Sequence, residues 1–215
     1  MEDEEPQDNR LWDEFEWEQF MQEQDRRADQ YMELLEKYHN HENREEMIAK
    51  EMGWEDADDD DDEEEIRLLA DLETGNMEAL DALDEEEEDY GFEEDPLYQC
   101  SKDLVMMVFD LQKTRQDLDD SDAMDALVSG CMIVSSKLAV VISNQEDAEV
   151  GMQIAYLKRG LKAVTDALNG FNQLVEQKLL GPETSEELRN KLFEVRDVVV
   201  SLMGQAREEW RRLQE

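Results

Sequence analysis

Residues 55–65 read EDADDDDDEEE, ten acidic side chains in eleven positions. Carboxylates at this density can hold a divalent cation, assist a hydrolysis through that cation, or act together as a polyanion. A calcium loop of the EF-hand kind needs acids at its first, third and fifth positions, glycine at the sixth and glutamate at the twelfth. Counted from Asp56 the three acids match, but the sixth position is Asp61 and the twelfth is Arg67. Counted from Asp58 the twelfth is Leu69. The sharp turn and the bidentate closure are both lacking, so no defined metal site is expected. The remaining chemistry is long-range attraction: Glu55, Asp58, Asp59, Asp60, Asp61, Asp62, Glu63, Glu64 and Glu65 face a basic partner, with the run Asp84 to Asp89 adding to the field.

Other constellations stop short of a site. A carboxylate-bridged metal pair in a helical bundle draws Glu-x-x-His from two helices, and here only Glu36–His39 fits, beside the one further histidine, His41. The spacings Glu33–Glu36 and Glu55–Asp58 resemble the E-x-x-E and E-x-x-D of all-α nucleotide pyrophosphohydrolases. That resemblance implies magnesium-dependent hydrolysis and is carried as an alternative. Such matches arise by chance among 41 acids in residues 1–96, and no basic group nearby is arranged to meet a triphosphate. Neither Cys100 nor Cys131 has a histidine in its own half of the chain, and no nucleophile elbow or glycine-rich phosphate loop occurs. No cofactor and no catalytic residue is expected.

Two further sets carry binding chemistry. Trp12, Phe15, Trp17 and Phe20 are interleaved with acids, a pattern in which charge steers an approach and rings anchor it. The same rings can instead pack on the chain's own helices. Lys158, Arg159 and Lys162, with Arg207, Arg211 and Arg212, form a candidate basic patch able to receive the acidic segment intramolecularly. Basic residues near a helix C-terminus also complement the helix dipole, which is an ordinary structural role.

The charge is uneven. Residues 1–96 hold 41 acidic and 7 basic residues, a net of −34; residues 97–215 hold 20 and 14, a net of −6. A polyanion repels phosphate backbones and anionic lipid, so direct nucleic-acid or membrane binding is not expected. The opening MEDEEPQDNR has neither a basic start nor an apolar stretch, and the apolar runs DLVMMVF and SSKLAVVIS are too short to span a bilayer. Two cysteines without metal-ligand spacing read as buried thiols in a reducing compartment, the cytoplasm.

The elements that must position these groups are helical. After Pro96, four series step by three and four: Leu97 to Leu118, Met124 to Val141, Val150 to Val175 and Leu188 to Ala206. Each is the buried stripe of a long amphipathic helix. Short connections favour an antiparallel up-down-up-down four-helix bundle over 97–215, preceded by an acidic, partly helical arm over 1–96. Capping spacings at Ser143–Glu146 and Thr184–Glu187 mark the third and fourth helices, and Gly181 a left-handed stop before Pro182. Gly151, Gly160 and Gly170 point to close helix approach. The longer third and fourth helices leave an apolar tip at 171–195 that a second copy, the arm or a partner would cover; a homodimer is one such arrangement. In the arm, an amphipathic helix is predicted over about 10–39, then a short one over NREEMIAKEM, brief helical turns in IRLLADLETGNMEALDAL, and a linker from Asp84. The functional expectation is a non-enzymatic acidic adaptor or chaperone-like binder of a basic protein surface; the alternatives are an oligomeric bundle with a docked arm, and the metal-dependent hydrolase.

Overall fold

The computed structural model describes residues 10–41, 43–54, 93–118, 121–143 and 149–214. Among these residues the chain is all-helical, with six α-helices, one short 3-10 turn and no strand. Two compact units emerge: residues 1–17 with 90–215, and residues 18–89. Residues 10–17 thus group with the C-terminal helices.

The smaller unit takes most of α1 (Glu14–Tyr38) and α2 (Arg44–Met52). Its core gathers Leu34, Ile48 and Trp54, with Tyr31, Leu35 and Tyr38 against them. Lys37 joins α1 to α2 through Glu51 at 2.8 Å, and this hydrogen bond raises the lysine pKa while lowering that of the carboxylate. Gly53 ends α2 at φ 78°, a left-handed stop suited to glycine. Asn43 stands at the predicted cap, but its side chain donates to the Glu46 carboxylate at 3.0 Å and makes no bond to the backbone. The brief turns predicted over 66–83, and the linker predicted from Asp84 to Pro96 as far as residue 92, lie outside the described residues; residues 93–95 lead into a helix that starts at Pro96 with Asp95 as its cap.

The larger unit is built from α3 (Pro96–Thr114), α4 (Asp122–Ser143), α5 (Val150–Glu176) and α6 (Pro182–Leu213). Each touches two others, α3 with α4, α4 with α5, α5 with α6, and α6 with α3. The four stripes meet at one core, in which Leu104, Met124, Leu127, Val134, Val164, Phe171, Leu188, Leu192, Val195 and Val199 are fully buried. Ser101 occupies a core position too; its hydroxyl donates to the Tyr98 carbonyl at 2.8 Å and meets Ser135 of α4 at 3.1 Å, so these two hydroxyls are paired. Lys191 of α6 reaches Asp103 of α3 at 3.3 Å.

The backbones of α4 and α5 nearly touch. A Cβ on Gly130 would lie 2.6 Å from the Ala163 carbonyl, and one on Gly170 would lie 2.5 Å from that of Ala123. Gly160 differs: its nearest neighbours, on Lys137 and Val134, would sit at 3.7 and 3.8 Å, so close approach does not account for it.

Several sequence signals are overruled. Ser143 ends α4, donating to the Val140 carbonyl, and α5 begins only at Val150; Glu146 lies outside the described residues. Thr184 does not cap α6, which starts at Pro182 behind Gly181, because proline's fixed φ suits the first helical position. Gly181 has φ −68°, and the left-handed residue is Lys178 at φ 60°. There the Leu179 amide returns to the Leu174 carbonyl and the Lys178 amide to that of Val175, the paired closure of a Schellman stop. The helix therefore ends before the glycine.

The tip at 171–195 is not bare. Phe171, Leu174, Leu188 and Leu192 have no exposed area, and the 3-10 turn at Gln116–Leu118 lowers Leu118 into the same core while Arg115 donates to the Leu179 carbonyl. The connection between α3 and α4 thus supplies part of the cover. Short apolar runs also understate α4: its 22 residues include an 18-residue window of mean hydropathy 1.9, long and apolar enough by length and composition to cross a membrane. Its apolar positions Met124, Leu127, Cys131, Val134 and Leu138 are buried among the other helices.

Candidate functional site: the seat of the N-terminal segment

A cluster that gathers five of the predicted site residues lies within the larger unit, where residues 12–17 meet α5 and α6. Asp13 begins the arrangement. Its Oδ1 accepts from the amides of Phe15 and Glu16 at 2.8 and 2.9 Å, and Glu16 Oε2 accepts from the Asp13 amide at 3.0 Å. This reciprocal pair is a capping box, and it sets the start of α1 at Glu14 where the periodicity alone predicted about residue 10. The spacing D-x-x-E ahead of an apolar-periodic run was the signal for it.

Once the helix start is fixed, Trp12 and Trp17 lie side by side, ring centroids 5.1 Å apart and tilted by 57°. Both point a donor at one oxygen. Glu149 Oε2 accepts from the Trp12 amide at 3.1 Å and from the Trp17 indole Nε1 at 3.0 Å. Glu149 stands directly before α5 and makes no capping bond with its own side chain, so its carboxylate is given to the arriving segment. Bonds to an ionised acceptor are the stronger kind, about 1.5–3 kcal/mol against about 1 for neutral pairs.

Gly151 makes the seat accessible. A Cβ at this position would fall on the Trp12 carbonyl oxygen and lie 3.0 Å from the Asp13 carbonyl carbon. Any side chain here would therefore push the segment away. On the flanks, Lys158 Nζ lies 4.8 Å from the Phe15 ring centroid, and Arg207 lies 3.8 Å from Glu14 Oε2. That glutamate oxygen is buried yet has no hydrogen bond, so its desolvation is only partly offset. Phe15 is 67% exposed, which leaves its cation–π contact near the lower, exposed end of about 0.5–1 kcal/mol.

The predicted residues divide as follows. Trp12, Phe15 and Trp17 are brought together with Lys158 and Arg207. Phe20 is exposed and belongs to the smaller unit. Lys162 pairs with Asp166 at 3.9 Å, and Arg211 donates to the Arg207 carbonyl at 3.2 Å. Arg159 lies on α5 and Arg212 in the last turn of α6. Glu55 to Glu65 and Asp84 to Asp89 fall outside the described residues. Glu149 was missed: one acid among 61 carries no local mark, and only folding singles it out. Gly151 was read as a helix-approach glycine, and its neighbour proves to be the N-terminal segment.

Among the described residues no three His, Cys, Asp or Glu side chains converge on a point that could hold a metal ion. His39 and His41 line an open hollow with Arg44 and Glu45 in the smaller unit. Compared with protein-family models, curated proteins and solved structures, the chain matches none of them.

Proposed function

We propose that this protein is a non-enzymatic, cytoplasmic acidic adaptor or chaperone-like binder that holds a basic protein surface against its polyanionic stretches. The single observation that carries the reading is the division of charge, −34 over residues 1–96 against −6 over the remainder. A field of this sign attracts cationic surfaces over a Debye length of about 8 Å at physiological salt and speeds their encounter. In this reading Glu55–Glu65 and Asp84–Asp89 supply the field. Phe15 and Phe20, both exposed, supply rings to a partner, while Trp12 and Trp17 moor the arm's root on α5. The platform is an antiparallel up-down-up-down bundle of α3 to α6. The opposed numbering of the α4–α5 contacts supports that layout, with Gly130 against Ala163 and Ala167, and Gly170 against Ala123 and Leu127.

The second reading, a helical bundle whose arm serves only its own fold, draws on the same Glu149 contacts. Titration with poly-L-lysine separates the two. The intact chain should bind saturably at low ionic strength and lose most affinity at physiological salt. A variant with residues 55–65 changed to Asn and Gln should bind at least about tenfold more weakly. Equal affinity of the two proteins would remove the acidic run from the recognition surface and leave the second reading.

A further inference from the structure

The seat over the start of α5 recognises a pattern, and nothing in its contacts requires that the pattern belong to the same stretch of chain. Trp12 and Trp17 are 137 and 132 residues away from the glutamate that holds them. Each contact selects one feature. Glu149 needs two N–H donors, a main-chain amide at the first position and an indole five residues on; tryptophan's ring nitrogen is a donor only and suits this acceptor. Gly151 admits the carbonyl of that first residue. Arg207 favours an acid two positions along, and Lys158 an aromatic ring three positions along.

We infer that this seat is a peptide-recognition site for the acidic, tryptophan-bearing start of a helix, and that residues 12–17 are its built-in occupant. The occupant is an imperfect one: Glu14 Oε2 is buried without a hydrogen bond, and its cation stands at 3.8 Å. A segment from another protein with the same order of groups, and an acid placed to bond Arg207 directly, competes for the seat on favourable terms. Tethering gives the resident segment an effective concentration in the millimolar range or below, which is the advantage an outside ligand must overcome. This ligand is the chemical opposite of the basic surface proposed for the acidic stretches, so either assignment stands if the other fails.

The test uses a fluorescent synthetic peptide of residues 10–20 and three full-length proteins: wild type, Trp12→Ala/Trp17→Ala, and that double variant with Gly151→Val added. Anisotropy should show one saturable site on the double variant, binding at least about tenfold weaker on wild type because the resident segment competes, and loss on the triple variant. Circular dichroism establishes that each is folded. Should the double variant not fold, wild type still decides the matter, since a peptide with both tryptophans replaced by alanine must bind at least about tenfold more weakly than the native peptide. Equal binding of the two peptides, equal binding to all three proteins, or no binding to a folded double variant overturns the inference. A wild-type dimer that dissociates on introducing Gly151→Val supports it and identifies a second copy as one source of the ligand.

Discussion

Cys131 is 1% exposed, and burial pushes its thiol pKa up to about 12 from an ordinary 9.0. Burial, with the nearby Glu194 carboxylate, raises Cys100 to about 11. A group whose pKa is higher folded than unfolded stabilises the fold fully below its unfolded value, and loses that contribution as pH rises toward the folded one. The window therefore opens near pH 9 and closes near 11 for Cys100 and near 12 for Cys131, with a slope of at most about 1.4 kcal/mol per pH unit for each thiol. Denaturant midpoints of wild type should fall through this range more steeply than those of Cys131→Ala, whatever the variant's starting stability. Parallel pH profiles would mean that the thiol is not held neutral by burial. At neutral pH the same protonation keeps Cys131 from reacting with alkylating reagents until the core opens.

At the scale of elements, the glycines of α4 and α5 separate by their surroundings. Gly130 and Gly170 sit where the backbones of α4 and α5 meet, so Gly130→Ala or Gly170→Ala forces the helices apart, at a cost of about 1–3 kcal/mol. Gly160 has ordinary room, and Gly160→Ala should stabilise α5 by about 0.5–1 kcal/mol through reduced backbone freedom in the unfolded chain. Thermal or urea unfolding of the three variants reads both signs; a destabilised Gly160→Ala protein would contradict the spacing described for it. The helix ends follow the same rule of local geometry. α5 stops at a left-handed lysine ahead of the available glycine, because the closure at Leu174 and Val175 places the turn there.

Over the whole molecule the net charge of −40 outweighs the ion pairs. The described pairs are mostly exposed, each contributing about 0–1 kcal/mol, whereas self-repulsion acts among all the acids and is relieved when the chain expands. Added salt screens both, and the larger effect wins. The melting temperature of the intact chain should therefore rise with ionic strength up to physiological values, and rise less once residues 55–65 are neutralised. A melting temperature that falls with salt would show that the surface pairs, Arg207–Glu14 among them, outweigh the repulsion.

The sequence by itself determined the helical class and the buried stripes. A three-and-four spacing leaves one face for a core, and Leu104, Leu127, Val164 and Val195 lie on that face and are buried. It also located the acidic run, since charge is read by counting. Cap positions at Ser143 and Thr184 were not legible, because capping spacings recur by chance where acids are this dense, and proline and the core override them. Only the tertiary structure decided that Trp12 and Trp17 share Glu149, and that Gly151 serves the arriving segment. Those partners lie more than a hundred residues apart in the chain. Which of many equivalent carboxylates accepts an indole is fixed by packing, and packing has no local signature in the sequence.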